Sequence, residues 1–233
     1  MTSMFWLRLR WWLTIAVRPL CVIVVVYVSF AAFLHWLHNY RRPPSTTKSA
    51  PSVRVVTANL WLNLLLVSTV ATLFALVSPV DVRLLTYVES SLSECLWKVL
   101  FSLFVADAVF YWVHRLLHTP RLFRLIHCKH HEALIPYPLV TNYCHPIELL
   151  TLNLPTVVAG PALTYMSSPL FAVWDAFMVV LTELEHSSRP LLPWRWRHFD
   201  VAHHHFLHHR YVVRGNYGLT PLWDYLCGTR IVE

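Results

Sequence analysis

Glycine and charge are both scarce in this chain: four glycines in 233 residues and a charged fraction of 13%, against 56% hydrophobic residues. A soluble enzyme carries more charge than that, so the composition points to a membrane protein. Cysteine offers no pairing pattern. The five, at 21, 95, 128, 144 and 227, lack the spacing of a disulfide framework or a zinc ribbon and read as reduced thiols. Acidic residues are outnumbered 12 to 19 by basic ones, for a formal charge of +7, yet no aromatic-interleaved soluble basic patch accompanies the excess. That argues against nucleic acid as a partner and for anionic lipid headgroups. There is no internal repeat and no low-complexity tract. The length predicts one compact unit, which leaves any redox chemistry to draw electrons from a separate protein.

What the chain does have is long apolar runs. Residues 20–38 are just long enough to cross a bilayer, with Arg8, Arg10, Trp11 and Trp12 suited to its interface. A signal peptide is the competing reading, but no small-residue cleavage site follows before His38. A proline-rich polar loop, 39–52, precedes a second run at 57–80; a short polar connection, 81–94, leads to a third at 96–113. Two further segments, 147–166 and 170–185, form an apolar hairpin turned at YMSSP. Arg41, Arg42, Lys48 and Arg54 flank one end of the second run, and Arg115, Arg121, Arg124 and Lys129 follow the third. This basic bias places the region after the third run in the cytoplasm. By parity the amino terminus is luminal if 20–38 crosses fully. Arg8 and Arg10 fit that poorly, which leaves a re-entrant segment as the alternative. The expected fold is all-α: a polytopic membrane helical bundle with a cytoplasmic histidine-rich helical cap, divided into membrane segments over 1–95 and a catalytic domain over 96–233.

Histidine is the compositional outlier, with fifteen residues of which only His35 and His38 precede His114. Those two and His198 read as interfacial. His114 and His118 stand one helical turn apart, and Asp107, Tyr111, His114 and His118 form one polar stripe. His127, His130 and His131 stand at i, i+3 and i+4, and His205, His208 and His209 repeat that spacing, with His203 and His204 left over. A neutral imidazole offers one lone pair, and helical spacing lets two or three rings converge on one ion. Eight rings exceed what one tetrahedral zinc uses. They fit two six-coordinate metals with open positions, a donor set suited to iron that binds oxygen, and His186 is a candidate ninth ligand. A histidine-rich loop that captures zinc is the non-enzymatic alternative.

The ordered pattern HxxxH, HxxHH, HxxHH after hydrophobic helices resembles the signature of the fatty acid hydroxylase and sterol desaturase superfamily, membrane-bound non-haem di-iron oxygenases. The resemblance covers roughly 100–230. "DAVFYWVHRLLH" is similar to the first box with its leading Asp107 and Tyr111. "HCKHHEALIPYPLVTNYCHPIELL" resembles the stretch of sterol-acting members such as sterol methyl oxidases and cholesterol 25-hydroxylase, with His145, Pro146 and Glu148 as its His-Pro-x-Glu element. "ELEHSSRP" resembles the segment supplying an extra histidine, with Thr182 where some relatives place another and Ser188 where a glycine is usual. "HHRYVVRGNYGLTPLWDYLCGT" is similar to the third box and its ending, which includes Asn216 and Asp224.

The resemblance implies His114, His118, His127, His130, His131, His186, His205, His208 and His209 as ligands of two iron ions. Asp107, Tyr111, His145, Glu148, Glu185, His204, Asn216 and Asp224 would stand behind them, with acids such as Asp107, Glu132 or Glu185 fixing the imidazole tautomers. It implies O2 as co-substrate, a lipid substrate drawn from the bilayer, and electrons from a donor such as cytochrome b5 or its reductase, received near Arg115 and Lys129. Hydroxylation and desaturation remain alternatives. An apolar slot between 96–118 and 147–185, lined by Phe110, Trp112 and Trp174, would admit the lipid. Endoplasmic reticulum is the expected membrane, although the chain's GTRIVE ending is no retrieval signal.

Overall fold

Two prolines shape the membrane helices of the computed structural model, which describes residues 2–38, 51–188, 191–193, 196, 199–212 and 215–231. A proline ring clashes with the carbonyl four residues earlier, and a locally widened turn relieves the clash. Pro19 follows a π-helical turn, Leu13–Val17, that joins α1 (Thr2–Trp12) to α2 (Arg18–His38). Pro155 follows a second, Leu149–Asn153, between the single turn α7 (Pro146–Glu148) and α8 (Leu154–Leu163). Between them lie α3 (Val53–Val77), the short α4 (Val82–Thr86), α5 (Leu92–Leu117), α6 (Pro120–Leu125) and two 3₁₀ turns, His127–Glu132 and Pro138–Val140. The chain continues through α9 (Ser168–Glu185), α10 (Val201–Tyr211) and α11 (Pro221–Leu226). No strand occurs among the described residues. The expected all-α class is met. Most of the 39–52 loop, including Arg41, Arg42 and Lys48, lies outside the described residues, as do His198 and the His38 side chain.

Four stretches are long and apolar enough to cross a membrane: Met4–Trp36, Val53–Val77, Leu92–Leu117 and Pro146–Leu163. α9 is not among them, because Asp175, Glu183 and Glu185 interrupt it. The first stretch contains the expected 20–38 run as far as Trp36 and extends it toward the amino terminus. It is one continuous helical passage that begins earlier: Arg18 donates to Ser168 Oγ (2.7 Å) at the start of α9, and farther along Tyr27 donates to Leu139 O (2.8 Å) near the histidines. Arg8 donates to Ser78 O (2.7 Å) and the Trp11 indole to Ser78 Oγ (3.1 Å), at the end of α3. The awkward amino-terminal arginine is thus satisfied by a helix end, and Trp11 is buried rather than interfacial.

Serine and aspartate caps start the helices that carry the site. Ser91 caps α5 through Glu94 N, Ser167 caps α9 through Leu170 N, and Asp200 caps α10 through the amides of Ala202 and His203. α5 packs on α8, with Gly160 so close that a Cβ there would lie 2.4 Å from Ser102 Cα. α2 packs on α9. At the end away from the histidines, buried Lys98 joins Glu89 (3.2 Å), Glu94 (3.1 Å) and the Tyr87 hydroxyl (2.8 Å), and Glu89 holds Ser167 at the α8–α9 turn. The space between α5, α8 and α9 holds Ala106, Met166, Trp174 and Met178, with Leu103, Phe110 and Val157 against them. The expected slot is therefore filled by core among the described residues. Trp174 is buried, its indole donating to Val157 O (2.8 Å), while Trp112 is exposed on the outer face.

Candidate metal centre

α5 ends in His114 and the capping residue His118, both buried, and thereby brings two rings one turn apart to its carboxyl end. The second box differs from its expected α-helical form: His127–Glu132 is a 3₁₀ turn. α9 delivers His186 at its C-cap, and α10 delivers His205, His208 and His209 from one buried face. The nine rings form two groups, His114, His118, His127, His131 and His208 in one and His130, His186, His205 and His209 in the other, the ligand atoms of each lying within 4.8 Å of one another. Each HxxHH box serves both groups. His127 and His131 share the first while His130 turns to the second; His205 and His209 share the second while His208 turns to the first. The sequence reading of each box as one converging set is corrected here. In the α-helical third box, residues four apart stack one turn above the other, and His208 at i+3 faces the neighbouring group.

Backbone carbonyls aim these rings. His114 Nδ1 meets Tyr217 O (2.7 Å), His208 meets Gly215 O (2.8 Å), His130 meets Tyr143 O (3.2 Å), His209 meets Ala133 O (3.0 Å) and His186 meets Thr182 O (2.7 Å). A carbonyl only accepts, so each Nδ1 carries the proton and each Nε2 presents a lone pair inward. His127 Nδ1 lies 2.9 Å from Glu148 Oε1, the single acid against a ligand ring among the described residues. The acids expected in this role do other work. Asp107 accepts from Thr220 N (2.9 Å) and its hydroxyl (2.6 Å), Glu132 accepts from the Tyr143 hydroxyl (2.6 Å), and Glu185 is buried with Oε1 unpartnered and bonded to none of the nine rings. A carbonyl orients a ring without burying another charge, which favours it in a dry site.

The inward nitrogens lie close. Nε2 separations are 2.9 Å for His114–His127, 3.1 Å for His127–His131 and His131–His208, and 3.2 Å for His118–His208. In the other group they are 3.3 Å for His130–His186 and 3.1 Å for His186–His205 and His205–His209. His130 and His186 have each committed their one ring proton to a carbonyl, so their facing nitrogens are two bare lone pairs that a cation must separate. For a metal–nitrogen bond of ~2.1 Å, ligands at right angles stand ~3.0 Å apart and tetrahedral ones ~3.4 Å. Most of these contacts fit the right-angled arrangement. The donor set suits six-coordinate ions with positions open.

The remaining residues build the wall behind the five-histidine group. Asp224 accepts from Tyr217 N (2.9 Å), Gly218 N (2.7 Å) and Thr229 Oγ1 (2.7 Å) and pairs with His204 Nε2 (3.1 Å). Burial alone would raise the Asp224 carboxyl, but the hydrogen bonds from His204, Thr229 and Gly218 hold it below its ordinary value. Asn216, at φ 58, donates to His204 O (2.9 Å) and accepts from Ile231 N (2.7 Å); Tyr111 bonds Thr229 Oγ1 (3.0 Å). These side chains hold the 215–231 segment against α5 and α10, and that segment offers the Gly215 and Tyr217 carbonyls. Gly215 has no substitute there, since at φ +149 a Cβ would lie 1.8 Å from Thr229 O. His145 caps α7 through Ile147 N (3.1 Å) and reaches neither group. Ser188 sits at φ 53, the left-handed conformation that favours glycine, and donates to Pro136 O (2.5 Å). The orienting carbonyls escaped sequence reading because main-chain atoms leave no residue-type signal.

Burial keeps the rings neutral. It pushes His127, His186 and His208 down to about 3 and His130 to about 4, and it lowers His118, His131, His205 and His209 as well. Unfolded, each titrates near 6.5. Below that pH the unfolded chain binds protons that the folded one refuses, so the stabilisation is complete above 6.5 and is lost as pH falls toward 4 and 3. Metal-free protein in detergent therefore melts at progressively lower temperature from pH 7 to pH 5. A melting temperature that is flat over this range would show the rings to be exposed to solvent.

The fatty acid hydroxylase family model matches residues 99–229. The very-long-chain aldehyde decarbonylase GL1-8 of Oryza sativa subsp. japonica is 42% identical over 140 residues, 57% of this chain and 51% of its own. Methylsterol monooxygenase 2-1 of Arabidopsis thaliana is 36% identical over 165 residues, 60% of each chain. The human fatty acid hydroxylase domain-containing protein 2 is 31% identical over 129 residues, 54% of this chain and 36% of its own. The chain spans about half the length of the curated relatives it first matches, and no solved structure matches it. With a matched segment that contains all nine converging histidines, this chain belongs to the fatty acid hydroxylase family.

Proposed function

We propose that this chain is the membrane core of an O2-dependent lipid oxygenase that hydroxylates a C–H bond of a sterol, with two iron ions held by the five- and four-histidine groups and 96–233 as its catalytic domain. The observation that carries the reading is the convergence of nine buried imidazoles in two adjoining sets. Iron bound there would supply activation of O2 toward an unactivated C–H bond. The chain's own part is to hold the imidazoles neutral, aim the Nε2 atoms of five of them through Nδ1 hydrogen bonds to carbonyls, and keep water out by burial. Phe110 brings an apolar edge to this site, its ring 4.9 Å from that of His114. Arg115, exposed over Tyr111 and Trp112, and Lys129, over Tyr143, offer cations to an acidic electron donor of the cytochrome b5 type. The reading places the histidine end in the cytoplasm, on the endoplasmic reticulum.

The Arabidopsis relatives, named as methylsterol monooxygenases, support a sterol. The rice relatives, named as very-long-chain aldehyde decarbonylases, favour a second reading in which the substrate is a long-chain aldehyde that loses its carbonyl carbon. Membranes containing the iron-loaded protein and an electron source, supplied with ¹⁸O2, decide between them. A sterol gaining one labelled oxygen is the expected result. A hydrocarbon one carbon shorter than the aldehyde would establish the second reading, loss of two hydrogens a desaturase, and an unchanged lipid profile would overturn the enzymatic reading.

A further inference from the structure

The two histidine groups are aimed from different parts of the chain. The five-histidine group takes its carbonyl acceptors from Gly215 and Tyr217 in the carboxyl-terminal segment. The four-histidine group takes two of its three from one loop, 133–144, where Ala133 O receives His209 Nδ1 and Tyr143 O receives His130 Nδ1. A single 3₁₀ turn, Pro138–Val140, is the only regular structure in that loop, so neighbours must fix its shape.

α3 is one such neighbour. Asn59, buried, grips both faces of Cys144: its Nδ2 donates to Cys144 O (3.2 Å) and its Oδ1 accepts from Cys144 N (3.2 Å). Asn63 Nδ2 donates to Asn142 O (3.0 Å) and Cys144 O (3.4 Å). Val56 packs in one cluster with Ala133 and Tyr143, which carry the two carbonyls, and with Val140. From the other side the Tyr27 hydroxyl holds Leu139 O (2.8 Å). Amide side chains are expensive in a membrane helix unless they are partnered. Here two, one turn apart on an otherwise apolar helix, spend their hydrogen bonds mainly on the backbone of one loop. Both lie before residue 99, where the match to the family model begins.

We propose that Asn59 and Asn63 are positioning residues for the four-histidine centre, acting through the 133–144 loop whose Ala133 and Tyr143 carbonyls aim His209 and His130. The assignment rests on the two-iron reading above and adds to it an asymmetry: one centre depends on α3, and the other does not. Loosening the loop moves the acceptors behind His130 and His209 and leaves those behind His114 and His208 in place.

The test follows iron release from anaerobic, ferrous-loaded full-length protein in detergent, using a coloured ferrous chelator, for the wild type, Asn59→Ala and Asn63→Ala. Disturbing groups behind metal ligands weakens binding by about 10- to 100-fold. The expected result is that one of two irons leaves Asn59→Ala at least ~10-fold faster while the second leaves at the wild-type rate, which also shows the variant to be folded. Asn63→Ala shifts the same iron less, because Asn59 still holds Cys144. Release of both irons at wild-type rates, or of both equally fast, would overturn the proposal, the latter by showing a merely structural role. Wild-type protein that takes up no iron would instead overturn the two-iron reading itself.

Discussion

His130→Ala loses one iron of two and drives lipid oxidation down by at least ~100-fold, while the protein stays in the membrane. His130 stands 3.3 Å from His186 within a four-membered donor set, so its removal leaves three rings and an uncovered face. His208→Ala does the same to the five-histidine centre, where it is 3.1 Å from His131 and 3.2 Å from His118. The two variants lose different irons and end equally inactive, because the proposed chemistry uses the pair. Iron content and labelled-oxygen incorporation measured on the same samples check this. Full activity in either variant would remove that histidine from the ligand set.

Asp224→Ala has the second large effect, and it falls on the other side of the site. The carboxylate receives two backbone amides, a hydroxyl and the His204 ring, all of which lose their partner when it is truncated. A buried donor left without its acceptor costs about 1–3 kcal/mol, and the loss of several appears as a fall in thermal stability in detergent. The Gly215 and Tyr217 carbonyls then lose their footing, so the iron released first comes from the five-histidine centre, the opposite selectivity to that of Asn59→Ala. Asp224→Asn, which keeps the shape and one acceptor oxygen, falls between the wild type and alanine. A stable Asp224→Ala variant with both irons tightly held would show that the 215–231 segment is not what aims His114 and His208.

The histidines were legible in the sequence because metal ligands must be side chains at fixed spacing, and nothing else in an apolar chain explains so many. Their partition was not. Whether the i+3 ring joins its i and i+4 neighbours depends on where the second centre lies, which a linear pattern does not contain; His130 and His208 each crossed over. Asp107 and Tyr111 share a buried stripe with His114, as their spacing implies, yet they end on Thr220 and Thr229 rather than on a ring. The acids assigned to fix the rings, Asp107, Glu132 and Glu185, gave way to carbonyls, and Glu148 of the His-Pro-x-Glu element is the acid that lies against a ligand among the described residues. The membrane helices were visible as apolar runs, but the early start of the first needed the π-helical turn before Pro19. Asn59 and Asn63 carried a readable signal that went unused: two amides at i and i+4 in "TANLWLNLLL" mark a helix face that must meet polar backbone.

The most direct measurement is the metal content and Mössbauer spectrum of protein purified in detergent and loaded anaerobically with ⁵⁷Fe. Two irons per chain, in two inequivalent nitrogen-rich sites because one has five histidines and the other four, is the predicted result. A single site, or one tightly held zinc that iron does not displace, would contradict it.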